Sequence, residues 1–167
     1  AARYRAAGEL NEVGGDFYDV FARSGDEWAL VVGDVSGKGA EAAAITALAR
    51  YTLRAAAQHT RHPRAVLSEL NEALLRDRLD YRFCTVLYVS LTPHEDRVTA
   101  TVAAAGHPLP LLIRGGSVIM ELPCRPRLPF GLGYIQAGRV PEIAEVQLQR
   151  GDAILFYSDG ITEARRP

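Results

Sequence analysis

The sequence predicts an α+β fold in a single domain, with a helix pair laid against β-sheet, and three observations predict it. Helical periodicity is confined to one block, residues 38–79, with strand-forming runs before and after it. The 167 residues are 48% hydrophobic, enough to bury roughly two-thirds of the extended chain's surface in one core. No linker, internal repeat or low-complexity tract divides residues 1–167. The remaining bulk properties exclude several classes of function. With 19 basic and 20 acidic residues the net charge is −1, so no general field attracts nucleic acid or anionic lipid. Cys84 and Cys124 stand outside any metal-binding spacing and are too few for a secreted disulfide framework; Cys84, within an apolar run, reads as a small core residue. No apolar run reaches about 18 residues and no signal-peptide pattern is present, so the expectation is a cytoplasmic domain without membrane insertion.

Taken in order, residues 3–9 alternate enough for an edge strand and residues 11–15 read as a loop, in which Gly14 and Gly15 let other groups approach the main chain. Residues 17–21 are rich in strand formers, 24–26 make a turn, and 28–32 return as the second arm of a hairpin. Asp16 precedes the outgoing arm and Asp34 follows the returning one, so the hairpin brings these carboxylates together. An alanine-rich helix then runs from Lys38, with Ala44, Leu48, Tyr51 and Ala55 as its expected buried stripe. Pro63 suits the first turn of a second helix ending near Leu79, with Val66, Leu67, Leu70 and Leu74 inward and Glu69, Glu72 and Arg76 outward. Residues 83–91, 98–105, 109–114 and 118–122 read as four strands of a meander. Residues 123–134 are rich in proline and glycine and expected to be irregular, and 140–148 and 153–157 read as two further strands joined by the Arg150-Gly151-Asp152 turn.

Three acidic turns carry the chemistry: GGDFYD at residues 14–19, GDVSGKG at 33–39, and YSDGITEAR at 157–165. In each, an apolar or aromatic run accompanies an Asp beside glycine. Hard divalent cations such as Mg²⁺ and Mn²⁺ take oxygen ligands, and holding two of them close together needs several carboxylates. Asp16, Asp34 and Asp159 are the candidates. An Asp beside Gly is also ordinary turn chemistry, the expected role of Asp26 and Asp152.

Five segments, GGDFYD, GDVSGKG, FCTVLYVSL, AAAGHPLPLL and LQRGDAILFYSDGITEAR, stand in an order and at separations that resemble the SpoIIE/RsbU-like branch of the metal-dependent PPM (PP2C-type) serine/threonine phosphatases. The resemblance spans nearly the whole chain. It implies an α/β/β/α layered sandwich with a two-metal centre, manganese or magnesium, at one edge of the sheets. It implies phosphoserine or phosphothreonine substrates, typically the phosphorylated anti-sigma-factor antagonist of a partner-switching pathway, and an upstream sensor domain or regulator. Carried over by motif, Asp16 matches the first acidic ligand, Asp34 the aspartate that bridges both metals, Val35 the residue whose main-chain carbonyl coordinates, and Asp159 the late aspartate on the second metal. A hydroxide held between the cations would be the nucleophile, and the cations would neutralise the phosphoryl oxygens, so no nucleophilic side chain is required. Relatives of this type continue past the SDG motif through a helix to a closing strand bearing another metal-binding Asp. This sequence ends at Pro167, eight residues after Asp159, and is therefore expected to be a C-terminally incomplete domain lacking that helix, strand and ligand. The eukaryotic relatives place a phosphate-gripping arginine shortly before the first acidic ligand, where this chain reads Asn11-Glu12-Val13.

Other residues have two readings each. Asp19 is an auxiliary ligand or, by strand alternation from Asp16, a residue on the opposite face. His107 is a general acid or a turn residue fixed by hydrogen bonds. Ser36 lacks the spacing of a Ser-His-Asp nucleophile, and Lys38 is a phosphate contact or a solvated surface charge. The helix pair is core, a contact surface for a homodimer, or a lever whose small residues Ala44 and Ala55, beside Leu48, permit sliding that would move the Asp34 turn. GDVSGKG has the outline of a nucleotide-binding loop, but Gly39 stands where the Walker pattern needs a hydroxyl and Asp34 puts negative charge where phosphates would lie. The alternative to an enzyme is a pseudophosphatase or sensor domain that keeps the fold and binds partners without turnover.

Overall fold

The computed structural model describes residues 2, 14–77, 82–125, 128–132 and 141–163. The expected edge strand over 3–9 and the Asn11-Glu12-Val13 approach lie outside the described residues. Among the described residues the first elements are the hairpin β1 (Phe17–Ala22) and β2 (Trp28–Val35), then two helices, α1 (Ala40–His59) and α2 (Pro63–Arg76). Six strands follow among the described residues: β3 (Cys84–Pro93), β4 (Val98–Ala105), β5 (Leu111–Arg114), β6 (Ser117–Glu121), β7 (Ile143–Leu148) and β8 (Ala153–Leu155), before a one-turn helix α3 (Asp159–Thr162).

The strands form two antiparallel sheets, one ordered β1-β2-β3-β4-β7 and the other β6-β5-β8. The α+β class predicted from sequence is the class observed. The expected meander is not: the chain leaves the first sheet after β4, builds β5 and β6 in the second, returns as β7 beside β4 and crosses again to β8 beside β5. The Gly151 turn therefore joins two sheets and does not close a hairpin.

Both helices cover one face of the larger sheet, α1 over β1 and β2 and α2 over β3 and β4. The smaller sheet covers the other face. Side-chain alternation divides the central strands between these two cores. Cys84, Val86 and Tyr88 of β3 join the helix-side core, while Leu87 and Val89 join Leu112, Leu122 and Ile154 between the sheets. A strand buried on both faces reads as an unbroken apolar run, as residues 86–89 do.

Helix α2 buries the stripe its sequence predicts: Val66, Leu67, Leu70 and Leu74 are all at most 1% exposed. Helix α1 does not. Its buried residues are Ala42, Ile45, Ala49, Leu53, Ala56 and Ala57, whereas Ala44 and Ala55 are exposed and Tyr51 is 74% exposed. Leu48 alone of the expected stripe packs partly against the core. The sliding contact imagined for Ala44 and Ala55 consequently has no packed neighbour to slide against among the described residues.

Polar clamps fix α1 in this rotation. Asp19, on the helix face of β1 with Phe17 and Phe21, accepts two hydrogen bonds from Arg54, at 2.6 and 2.8 Å, with Arg50 3.9 Å away. Arg54 also lies over the Phe21 ring. Arg23 donates to the carbonyls of Ala57 and Thr60, capping the carbonyl end of α1 from the hairpin. No helix among the described residues is long and apolar enough to cross a membrane.

Candidate metal centre

The hairpin register pairs Phe17 with Gly33, and one further step along it sets Asp16 beside Asp34. On the other side of β2, Asp34 pairs with Thr85 of β3. Since Phe17, Val31, Val35, Cys84 and Val86 all face the helix-side core, alternation puts Asp16, Asp34 and Thr85 in a row on the opposite face, at the end of the larger sheet. Asp159 comes from the smaller sheet, at the start of α3 just after β8. Ser158 Oγ, one residue before it, lies 3.4 Å from Asp16 Oδ2. Three acidic turns far apart in sequence thus meet where the two sheets open.

Their charges are felt mutually. Burial, followed by the charges of Asp16 and Asp159, pushes the Asp34 carboxyl up to about 6. Asp16 is also raised, chiefly by burial with the Asp159 charge adding to it, against the pull of Ser158. Asp16 Oδ1 is buried with no hydrogen-bond partner among the described residues, an arrangement that is costly unless something else satisfies the oxygen. Gly15 is the residue that lets these oxygens gather: a Cβ there would lie 1.9 Å from the Val35 carbonyl oxygen and 2.7 Å from Asp34 Oδ1. Thr46 of α1 and the Val35 amide hold the Gly15 carbonyl in turn.

These donors fit the cation that the motifs imply. Three carboxylates and one carbonyl are hard oxygen ligands, and their crowding is the repulsion that a divalent ion relieves. Among the described residues, however, no group of three or more His, Cys, Asp or Glu side chains is already disposed to hold a metal ion. The donor set is therefore right in kind and in neighbourhood without being closed around a point.

A cavity of about 370 Å³ adjoins the acids, lined by Asp34, Asp159, Thr85, His107, Leu109 and Glu121 among others. His107 is 3% exposed, and burial lowers it to about 4, so the ring is neutral at pH 7. Its Nδ1 lies 2.9 Å from Thr85 Oγ1.

The remaining residues with two readings have the following contacts. Asp19 points to the helices and is held by Arg54, away from the acid row. Ser36 Oγ accepts from the Phe83 amide, and Arg82 donates to the Ser36 carbonyl and to Glu41, so Ser36 fastens the loop after Asp34. Lys38 pairs its main chain with Gly14 in an isolated bridge. Asp26 is an exposed turn residue, as expected. Asp152 does more than turn: besides accepting from the Gln149 amide it receives two hydrogen bonds from Arg114 of β5. Thr85, Ser158 and Glu121 were not singled out by sequence. Thr85 was accessible in principle, because the pairing of β2 with β3 sets it opposite Asp34.

Residues 24–167 match the family described as stage II sporulation protein E (SpoIIE). Over 155 residues, 92% of this chain, the sequence is 27% identical to the phosphoserine phosphatase RsbU of Bacillus subtilis, of whose length the match covers 44%. In structure it resembles the RsbU and RsbW domains of Rv1364c from Mycobacterium tuberculosis, with a TM-score of 0.76 and 31% identity over 94% of this chain and 42% of that one. It also resembles the SiaA-PP2C domain of Pseudomonas aeruginosa, with a TM-score of 0.70 and 28% identity over 89% of this chain and 56% of that one. The chain thus spans less than half the length of this curated relative.

Proposed function

The chain belongs to the stage II sporulation protein E family of PP2C-like phosphatases, and on that premise we propose that it is a metal-dependent protein serine/threonine phosphatase. The observation that carries the reading is the meeting of Asp16, just before β1, with Asp34 of β2, and the charge of Asp159 close enough to raise both. Asp16, Asp34, Asp159 and the Val35 carbonyl would hold Mg²⁺ or Mn²⁺, as part of the two-ion centre that the family relationship suggests. When bound, such ions activate water and neutralise phosphoryl oxygens.

The protein's own groups fit direct displacement by water. The Ser36 hydroxyl is held by the Phe83 amide and the Cys84 thiol is pushed up to about 12 by burial, so neither is a prepared nucleophile. What the chain supplies is position: β1 and β2 fix two acids in register, and β8 delivers the third. Attack would be in line on the phosphorus of a phosphoserine or phosphothreonine, with the serine or threonine oxygen leaving. The family relationship points to a phosphorylated anti-sigma-factor antagonist as substrate and to regulation by an upstream sensor or partner.

One observation favours the non-enzymatic alternative, a pseudophosphatase: no ready group of metal ligands exists among the described residues. Phosphate release from a phosphoserine peptide, measured with Mn²⁺ and again with EDTA, separates the two. The phosphatase reading expects release that EDTA abolishes and that Asp34→Asn lowers at least a hundredfold. Peptide binding without turnover at any metal concentration would establish the alternative.

A further inference from the structure

The three acids reach the site on two separate arms. Asp34 comes on β2, at the end of the larger sheet, and Asp159 follows β8, in the smaller one. Between β4 and β5 the chain passes from the first sheet to the second through Gly106, His107 and Pro108, and this crossing brings an imidazole between the arms. Gly106, at φ 69°, pairs with Val86 in an isolated bridge and has Pro129 packed so closely that a Cβ would meet it at 2.6 Å. The crossing is held from both sides.

His107 faces each arm with one nitrogen. Nδ1 lies 2.9 Å from Thr85 Oγ1, and that hydroxyl is 3.5 Å from the main-chain carbonyl of Asp34. The Tyr157 main chain favours a proton on the ring, which places that proton on Nε2, the nitrogen turned away from Thr85; the Thr85 hydroxyl then gives its one proton to Nδ1, and Thr85 is tied to Asp34 by the pairing of β3 with β2. Nε2 is buried and has no hydrogen-bond partner among the described residues. The Tyr157 main chain, two residues before Asp159, is close enough to favour a proton on the ring but does not complete a bond with it. A buried donor left open costs about 1–3 kcal/mol, and such groups recur where a site is completed by something else.

We propose that His107 is a positioning residue that ties the Asp34 arm to the Asp159 arm, with its bond to Thr85 already made and its Nε2 reserved for the Tyr157 carbonyl as the acids draw together around a cation. This rests on the metal-dependent reading above and assigns His107 a part in metal affinity rather than in proton transfer. It accounts together for two features: an acid trio that is electrostatically coupled but not closed, and an open buried donor beside the segment that must move to close it. A neutral ring meets both demands at once, because it accepts at one nitrogen and donates at the other.

The test is Mn²⁺ affinity by calorimetry, together with the melting temperature in EDTA, for His107→Leu, Thr85→Val and the double variant. Leu is close in volume to His and removes the open donor along with the Thr85 bond, so the metal-free melting temperature should stay within about 2 °C. Mn²⁺ affinity should fall about tenfold or more in His107→Leu, the range seen when groups supporting metal ligands are removed. Thr85→Val should weaken Mn²⁺ binding in the same direction, and the double variant should be no weaker than His107→Leu, because both changes break one chain of contacts. Unchanged affinity in His107→Leu, fully additive losses in the double variant, or affinity falling only in step with the metal-free melting temperature would each overturn the assignment. If the wild type itself binds no Mn²⁺, the metal-dependent reading fails and this inference with it; wild-type binding with an unaffected His107→Leu rejects the role of His107 alone.

Discussion

Replacing Asp34 with Asn should make the metal-free protein more stable and the metal-loaded protein less so. The folded-state value of this carboxyl is raised, from 3.8 to about 6, so the cost of its charge is absent below the unfolded value, grows between the two and is complete above about 6. At about 1.4 kcal/mol for each unit of pKa the rise corresponds to about 3 kcal/mol. The side chain is only partly buried, and solvent screening reduces this to about 1–2 kcal/mol. Asn keeps the shape without the charge, so its metal-free melting temperature at pH 7.5 should exceed the wild type's by about 3–6 °C. By pH 4 the difference should shrink to about a few tenths of a kcal/mol, and comparing variant with wild type at each pH cancels every other titrating group. Mn²⁺ at about a hundred times its dissociation constant adds about 2.7 kcal/mol to the wild type and little to the variant, so the order reverses. Scanning calorimetry in EDTA and in Mn²⁺ at both pH values measures all four quantities. A variant no more stable than the wild type in EDTA at pH 7.5 would refute the repulsion argument; no rise in wild-type stability with Mn²⁺ would refute the metal site.

Two further outcomes are expected. Gly15→Ala should lower the melting temperature and weaken Mn²⁺ binding together, because a Cβ would lie 1.9 Å from the Val35 carbonyl oxygen and force the turn away from Asp34; a variant with wild-type melting and affinity would show that the Gly15 contact does not shape the site. Asp152 is held down to about 2, first by Arg114 and then by the Gln149 amide, so its contribution is present above the unfolded value near 3.8 and is lost as pH falls toward 2. Asp152→Asn should therefore flatten the acid limb of the stability curve between about pH 4 and 2, and an unchanged slope there would rule the pair out as a source of acid sensitivity.

The part of the site that follows from pairing within one hairpin was legible in the sequence. A strand, a short turn and a returning strand fix how far apart the two ends lie, and Asp16 and Asp34 occupy those ends, so their meeting needs no knowledge of the rest of the fold. The arrival of Asp159 rests on a different kind of fact. It depends on which sheet β8 joins, and a three-residue strand of alternating exposure carries no signal for that choice. The same ambiguity explains the predicted meander. Residues 109–114 and 118–122 pair with each other as read, but nothing local says whether such a hairpin extends the first sheet or lies across it, and the choice is made by the apolar inner face of β3 and β4, which must be covered.

The misphased stripe of α1 has a related cause, and it leads back to Asp19. Nine of the twenty residues of α1 are alanine, so hydrophobic periodicity is nearly as good on one face as on the next, and the pattern of Ala44, Leu48, Tyr51 and Ala55 satisfies it as well as Ile45, Ala49, Leu53 and Ala56 do. The choice falls to residues that cannot tolerate the wrong rotation. Asp19 is 7% exposed, and a carboxylate so placed needs a cation within reach; turning α1 to bury Tyr51 would carry Arg50 and Arg54 away from it. Tyr51, by contrast, loses little by standing in water. The constraint that sets the helix is therefore electrostatic and crosses thirty-five residues of sequence from Asp19 to Arg54, a separation at which no window of hydropathy registers it. Because the same rotation brings Thr46 onto the Gly15 carbonyl at 3.2 Å, the Asp19–Arg54 pair and the acid turn are set by one placement of one helix.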